Sequence, residues 1–136
     1  MTRQITKGIK ALVAEAETEI ETLSPAAALS LQDDPDVVIV DLRDVRELKR
    51  DGYIPDSIHA PRGMLEFWVD PDSPYHKEVF ASGKRFVFYC SAGWRSALAT
   101  QAVQNMGLEP VCHIGGGFTA WKEADGPVAF KEERKK

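Results

Sequence analysis

Two uninterrupted apolar runs mark the centre of the predicted fold. One is VVIV at residues 37–40, and the other is FVFY at residues 86–89. Runs of β-favouring residues without an intervening polar position are typical of strands that are covered on both faces in a parallel sheet. Shorter apolar stretches at residues 20–23, 57–60 and 110–114 predict further strands. We therefore expect a sheet of four or five short strands.

Stretches with helical spacing separate these strands. Residues 6–19 carry an apolar stripe, Ser24 and Pro25 predict the start of a helix through about residue 31, and Gly107 predicts the end of a helix that begins at about residue 94 or 95. The predicted apolar face of this last helix consists of Leu98, Ala99, Ala102, Val103 and Met106. Such alternation predicts an α/β fold with a mainly parallel central sheet, helices on both faces, and ligand sites at the carboxyl ends of the strands.

The composition is that of a one-domain protein. The 136 residues are 43% hydrophobic and 28% charged, with a net charge of -4, so we expect no nucleic-acid partner. No apolar run is long enough to span a bilayer and the first residues lack a signal-peptide pattern, so we expect a cytoplasmic protein without a membrane partner. Two cysteines are too few for a disulfide framework, and no cysteine or histidine pair has zinc-ligand spacing, so we expect no metal site.

The chain divides into three predicted parts. Residues 1–19 form an amphipathic helix packed on the domain, residues 20–128 form the α/β domain, and residues 129–136 form a charged, solvated tail. The apolar stripe of the first helix could instead bind a partner or a second copy of the chain.

Candidate chemistry is concentrated in the segment that follows the strand at residues 86–89. Cys90 lies at the carboxyl end of that strand, and the small residues Ser91, Ala92 and Gly93 allow successive backbone N–H groups to converge. Converging amides, a helix N-terminus and the guanidinium of Arg95 all favour the thiolate, which is the nucleophilic form of cysteine. We call residues 90–95 the cysteine loop. The alternative interpretation of Cys90 is an inert buried thiol.

The sequence CSAGWRS at residues 90–96 resembles the active-site loop of the rhodanese-like sulfurtransferases. Cysteine phosphatases place five residues between cysteine and arginine, whereas four intervene here, and tyrosine phosphatases have a histidine where this chain has Tyr89. The resemblance extends over about residues 20–128. It includes Asp41, Arg43 and Glu47, a turn at residues 52–57 that departs from the family pattern at Tyr53, Asp56 and Ser57, and the pattern of residues 115–128, GGGFTAWKEADGPV.

The resemblance implies a rhodanese-like three-layer domain and a sulfurtransferase without a cofactor. Cys90 would attack a small anionic, thiosulfate-like donor and hold its sulfur as a persulfide, until a thiol, cyanide or a protein acceptor removes it. Arg95 would position the donor's oxygens. The residues expected to bind the substrate are Ser91, Ala92, Gly93, Trp94, Arg95 and Ser96, with Asp41, Arg43 and Arg62 in supporting positions.

Two features of the resemblance leave the function open. Some thiosulfate-specific members carry basic residues where this chain has Ser91 and Ala92, so thiosulfate is expected to be a poor surrogate for the natural donor. The chain could instead be a persulfide carrier or a protein-interaction module. A cysteine phosphatase or an arsenate reductase is a further alternative.

Several other side chains have two interpretations. Residues 62–84 resemble an insertion in which Met64, Phe67 and Trp68 would form a pocket wall together with Trp94, with Arg62 at its mouth; the alternative is a satellite apolar cluster. Arg43 and Glu47, four residues apart, could pair on a helical turn. A structural role is expected for His59 and His113, and Cys112 is expected to be a small buried apolar residue rather than a second redox thiol.

Overall fold

The computed structural model describes residues 4–131, which form a five-stranded sheet flanked by helices. The strands are β1 (Glu21–Leu23), β2 (Val37–Asp41), β3 (Ile58–His59), β4 (Arg85–Tyr89) and β5 (Val111–Ile114). All neighbouring strands are parallel, in the order β1-β5-β4-β2-β3. The two apolar runs therefore lie side by side near the centre of the sheet, as their composition predicted.

Residues 4–131 also contain six helices, four of which connect successive strands. They are α1 (Ile9–Glu19), α2 (Pro25–Leu29), α3 (Val45–Asp51), α4 (Leu65–Val69), α5 (Trp94–Met106) and α6 (Gly117–Glu123), with short 3-10 turns at Arg62–Met64 and Glu78–Ala81. The segment 62–84, which has little helical pattern in the sequence, thus contains a helix and two turns. None of the helices in the described part of the chain is long and apolar enough to cross a membrane.

The central strands bury both of their faces. On one side, Phe86 and Phe88 pack in a cluster with Ala99 and Val103 of α5 and with residues of α4. On the other side, Val87 and Tyr89 pack with α2 and with Phe118 and Trp121 of α6. Because successive side chains of a strand point to opposite faces, these contacts confirm the predicted three layers.

Helix α5 is covered on more sides than its apolar pattern predicted. Its buried residues are Ser96, Ala97, Ala99, Thr100 and Val103, whereas Met106 is exposed. The reason is α1, which packs Val13 and Ala16 against Ala97 in a third, smaller cluster. Small and polar positions of α5 are therefore buried between α1 and the sheet.

The end of the described chain is held against the domain. Tyr53 and Ala129 exchange two backbone hydrogen bonds of 2.9 Å. Gly52 permits this approach, because a Cβ atom at this position would lie 2.6 Å from the Cγ1 atom of Val128. Residues 132–136 of the predicted tail lie outside the described residues.

Candidate active site

The sulfur of Cys90 is enclosed by donors from the cysteine loop and the first turn of α5. Sγ accepts hydrogen bonds from the backbone N–H of Gly93 at 3.2 Å and of Ser96 at 3.4 Å, and it lies 3.5 Å from the Ser96 hydroxyl. Cys90 is only 1% exposed. Such donors stabilise negative charge on sulfur, and they leave a narrow approach to it.

Two glycine-dependent turns give the loop this shape. Gly93 has φ +102° and precedes α5, as the sequence predicted. The turn before α6 packs directly on the loop: a Cβ atom on Gly117 would lie 2.4 Å from the carbonyl oxygen of Cys90. Phe118 N–H donates to that oxygen at 2.8 Å, and Thr119 N–H donates to the carbonyl of Ser91 at 3.1 Å. The α6 amides thus hold two loop carbonyls, while the N–H groups of Gly93 and Ser96 face the sulfur.

Glu47 of α3 ties the cysteine loop to the neighbouring strand-to-helix connection. Its carboxylate accepts from both terminal nitrogens of Arg95, at 2.8 and 3.0 Å, and from the Ser91 hydroxyl at 2.8 Å. The hydrogen bonds from Arg95 outweigh partial burial, and with that from Ser91 they lower the pKa of Glu47 from 4.5 to about 2. Arg95, expected to position the donor's oxygens, is held by a carboxylate on one side.

The predicted pairing of Arg43 with Glu47 was wrong. Arg43 precedes Asp44, the N-cap of α3, so the two residues do not share a helical turn. Arg43 instead pairs with Asp41, both side chains being fully buried, and donates to the carbonyl of Gly52 at 2.7 Å. Burial alone would lower the pKa of Arg43, but the hydrogen bonds and charge of Asp41 raise it.

The Arg43 side chain of this pair lies against two aromatic rings near the cysteine loop. The Arg43 guanidinium carbon lies 4.4 Å from the ring centre of Phe118 and 5.6 Å from that of Tyr89, the residue before Cys90. Within residues 4–131, Nη1 of Arg43 has no hydrogen-bond partner. The pair therefore braces the strand end and α6 rather than the sulfur itself.

The structure describes the three turn residues that differ from the rhodanese-like pattern. Asp56 adopts φ +66°, Tyr53 pairs with Ala129 as described above, and Ser57 Oγ lies 3.2 Å from the hydroxyl of Tyr89. That hydroxyl also accepts from the backbone N–H of Ile54 at 3.0 Å. Burial and the nearby Asp41 raise the pKa of Tyr89, so it stays a neutral phenol.

The remaining predicted site residues belong to the exposed part of the cysteine loop and to residues 62–84. Ala92 and Trp94 lie in the cysteine loop, and both are exposed. Arg62 pairs with Glu66 at 2.7 Å on α4. Trp68 packs against the apolar cluster formed by α4, α5 and the sheet, and Phe67 makes an edge contact with Tyr75. Trp68 therefore joins a main core cluster instead of a separate satellite one, and a pocket wall formed by residues 62–84 stays a prediction.

Sequence reasoning missed a buried polar chain behind the sulfur. Ser96 Oγ lies 2.9 Å from Nδ1 of His113, and Nε2 of His113 lies 3.1 Å from Oγ1 of Thr22. Burial lowers the pKa of His113 to about 4, so its imidazole is neutral near neutral pH. A histidine within the apolar strand CHI gives no sequence signal for this role. Among residues 4–131, no group of three histidine, cysteine or acidic side chains is arranged to hold a metal ion.

Comparison with known proteins points to one family. A family model described as a Rhodanese-like domain matches residues 24–124. The thiosulfate sulfurtransferase GlpE of Pseudoalteromonas translucida is 31% identical over 102 residues, which cover 75% of this chain and 89% of that protein. An uncharacterized protein of Synechocystis is 31% identical over 107 residues, covering 79% of this chain and 55% of that protein. The chain therefore spans about half the length of the Synechocystis relative.

One solved structure is similar over nearly the whole chain. It is a protein of unknown function from Rhodopseudomonas palustris, described as a possible tyrosine phosphatase. The two chains are 56% identical, with a TM-score of 0.91 over 95% of this chain and 99% of the other.

Proposed function

The chain belongs to the rhodanese-like domain family, and we propose that it is a sulfurtransferase that carries sulfane sulfur as a persulfide on Cys90. The observation that carries this proposal is the set of polar groups around Sγ: the backbone N–H groups of Gly93 and Ser96 donate to it, and the Ser96 hydroxyl oxygen lies 3.5 Å away. The sulfurtransferase homologue GlpE supports the general reaction class. Thiosulfate as the donor is the finer part of the proposal.

The reaction has two covalent steps. The Cys90 thiolate attacks the outer sulfur of the donor, a new S–S bond forms, and the donor's own bond to that sulfur breaks; with thiosulfate, sulfite leaves with the bonding pair. The enzyme then carries an S–S⁻ group. A thiolate or cyanide attacks the outer sulfur, takes it as a persulfide or thiocyanate, and restores the Cys90 thiolate. Charge balances in each step, and no cofactor is required.

The loop residues have separate tasks in this scheme. The N–H groups of residues 91–96 stabilise the negative outer sulfur of the persulfide, as oxyanion-hole amides stabilise an oxygen. Arg95 adds positive charge beside these N–H groups. Glu47 fixes the position of Arg95 and accepts hydrogen bonds from both of its terminal nitrogens. The uncharged Ser91 and Ala92 add no further cation, so a donor with less charge than thiosulfate, or a persulfide on a protein, fits the loop better.

A second candidate is phosphate-ester hydrolysis, because the similar Rhodopseudomonas protein is described as a possible tyrosine phosphatase. Two features argue for sulfur instead. Only four residues separate Cys90 from Arg95, and Cys90 is 1% exposed. One sulfur atom needs less room than a phosphoryl group, whose three oxygens must all be surrounded by loop donors. A carrier that hands its persulfide to a protein uses the same chemistry.

A cytoplasmic location fits this proposal, since a reducing compartment keeps Cys90 and Cys112 as the free thiols that the structure shows.

The experiment that separates sulfur transfer from phosphate-ester hydrolysis measures two activities in the same preparation. One is thiocyanate formation from thiosulfate or polysulfide with cyanide, and the other is hydrolysis of a generic aryl phosphate. We expect thiocyanate formation that is abolished in Cys90→Ser, and no Cys90-dependent phosphate release. Phosphate release that depends on Cys90, without thiocyanate formation, would overturn the proposal.

A further inference from the structure

We propose that Ser96, His113 and Thr22 form a proton relay that carries the Cys90 proton to solvent and then holds the thiolate. The inference rests on the proposed function for its purpose, since it explains how a buried cysteine becomes the nucleophile. Its geometry is independent of that function. The chain runs from Sγ to Ser96 Oγ, through both ring nitrogens of His113, to Thr22 Oγ1, with distances of 3.5, 2.9 and 3.1 Å.

The ends of this chain differ in their access to water. Cys90, Ser96 and His113 are each at most 1% exposed, whereas Thr22 on the edge strand β1 is exposed. With Cys90 only 1% exposed, water has little access to the sulfur, so its proton needs another path to solvent. The hydrogen-bonded chain supplies one, because each member can both donate and accept a proton.

The transfer balances when every hydrogen bond reverses. The Cys90 proton moves to Ser96 Oγ, the Ser96 hydroxyl proton moves to Nδ1 of His113, and the Nε2 proton moves to Thr22 Oγ1, whose own proton leaves to water. Each oxygen still carries one proton, and His113 is still neutral but in its other tautomer. The Ser96 hydroxyl now donates to the thiolate, and Nδ1–H donates to Ser96.

The surroundings favour a neutral imidazole in this role. Its burial lowers the pKa of His113 to about 4, so the ring changes tautomer instead of acquiring charge. The competing acceptor for the Ser96 hydroxyl, the Gly93 carbonyl at 3.3 Å, already accepts the N–H of Ala97 at 3.1 Å.

Charged groups nearby act on the sulfur from other directions. Arg95 on α5, held by Glu47 of α3, is the cation beside Cys90. Glu21, next to Thr22 on β1, pairs with Arg85 of β4. The relay therefore sets where the proton goes, while Arg95 contributes the compensating charge.

Long-range proton–nitrogen NMR spectra of the unmodified protein test the relay directly. As pH rises and the ultraviolet absorbance of the thiolate appears, the His113 signals should change from the Nε2–H to the Nδ1–H tautomer, with no imidazolium stage. In Cys90→Ala the same titration should leave His113 in one tautomer. His113→Phe identifies its signals among the three histidines. A single tautomer throughout the titration of wild type would overturn the proposal.

Alkylation by iodoacetamide, without any sulfur donor, supplies the second test. At neutral pH the alkylation rate of Cys90 should fall about tenfold in Ser96→Ala, because the hydrogen bond from the Ser96 hydroxyl to the charged thiolate is lost. In His113→Phe it should fall about fivefold, because the lost hydrogen bond, between His113 and Ser96, joins two neutral groups. The double variant should be no slower than Ser96→Ala, because His113 acts through Ser96. His76→Phe serves as the control. Additive losses of alkylation rate in the double variant, or an unchanged rate in folded His113→Phe, would contradict the relay. Failure of the proposed function would appear only in assays that contain a sulfur donor.

Discussion

Removal of the Glu47 carboxylate tests how the cysteine loop is fastened to the domain. Glu47→Gln keeps the size of the side chain but replaces the charged partner of Arg95 and one acceptor of the Ser91 hydroxyl. The pKa of Glu47 falls from 4.5 to about 2 on folding, and each unit corresponds to about 1.4 kcal/mol, so the upper bound is about 3 kcal/mol. Because the Arg95 side chain is 42% exposed, water screens the pair, and we expect a loss of about 2 kcal/mol.

The sign of the pH dependence follows from the direction of this shift. A carboxylate whose pKa is lowered in the folded state contributes its full stability above its unfolded pKa, here 4.5, and loses it as pH falls towards about 2. The difference between wild type and Glu47→Gln should therefore shrink by more than half between neutral pH and about pH 3.

Urea unfolding at the two pH values measures this difference. The matched control is Glu66→Gln, which breaks the pair with Arg62, where the Glu66 side chain is 40% exposed. The control should cost at most about 0.5 kcal/mol at either pH. Equal effects of the two variants, or a Glu47→Gln effect that does not change with pH, would refute the assignment of Glu47 as the fastening residue.

Three further predictions concern the groups around the loop. Arg43→Gln should lower the free energy of unfolding in urea by about 3 kcal/mol or more, because it leaves the buried Asp41 without a charge partner; a loss below about 1 kcal/mol would contradict this. Gly117→Ala should cost about 3 kcal/mol and impair sulfur transfer, since its Cβ would lie 2.4 Å from a loop carbonyl oxygen. Gly107→Ala, also at positive φ but with open space around it, should cost about 1 kcal/mol and spare transfer, and equal losses would refute the steric argument. Cys112 should resist iodoacetamide at neutral pH, because burial raises its pKa to about 11; peptide mapping that finds it labelled in the folded protein would show otherwise.

The parts of the site that are local in sequence were predictable. The run FVFY, the small residues after Cys90 and the helix pattern up to Gly107 indicate a strand, a loop and a helix that follow one another directly. Backbone amides from such a loop must converge near the strand end, so the position of the sulfur follows from the order of the elements. The glycines before α6 likewise predicted a tight turn, although not that this turn supports the loop carbonyls.

The contacts between distant segments were not predictable in the same way. Glu47 reaches Arg95 across 48 residues, whereas the local spacing favoured Arg43 as its partner. Because α3 begins at Val45, with Asp44 as its N-cap, Arg43 lies outside the helix and Glu47 inside it. A helix boundary that differs by two residues is enough to change the partner of Glu47. The sequence predicted only a structural role for His113. Its polar contacts depend on tertiary structure, because the parallel pairing of β5 with β1 and the packing of α5 place Thr22 and Ser96 at its two ring nitrogens.

The most direct test of the central claim is the intact mass of the protein after incubation with thiosulfate, or with polysulfide if thiosulfate is too poor a donor. Wild type should gain the mass of one sulfur atom, cyanide should remove it, and peptide mapping should locate it on Cys90. Cys90→Ala should gain nothing, whereas Cys112→Ala should behave like wild type. A folded, reduced wild-type protein that acquires no sulfur from either donor, or a sulfur that persists in Cys90→Ala, would contradict the assignment of Cys90 as the sulfur carrier.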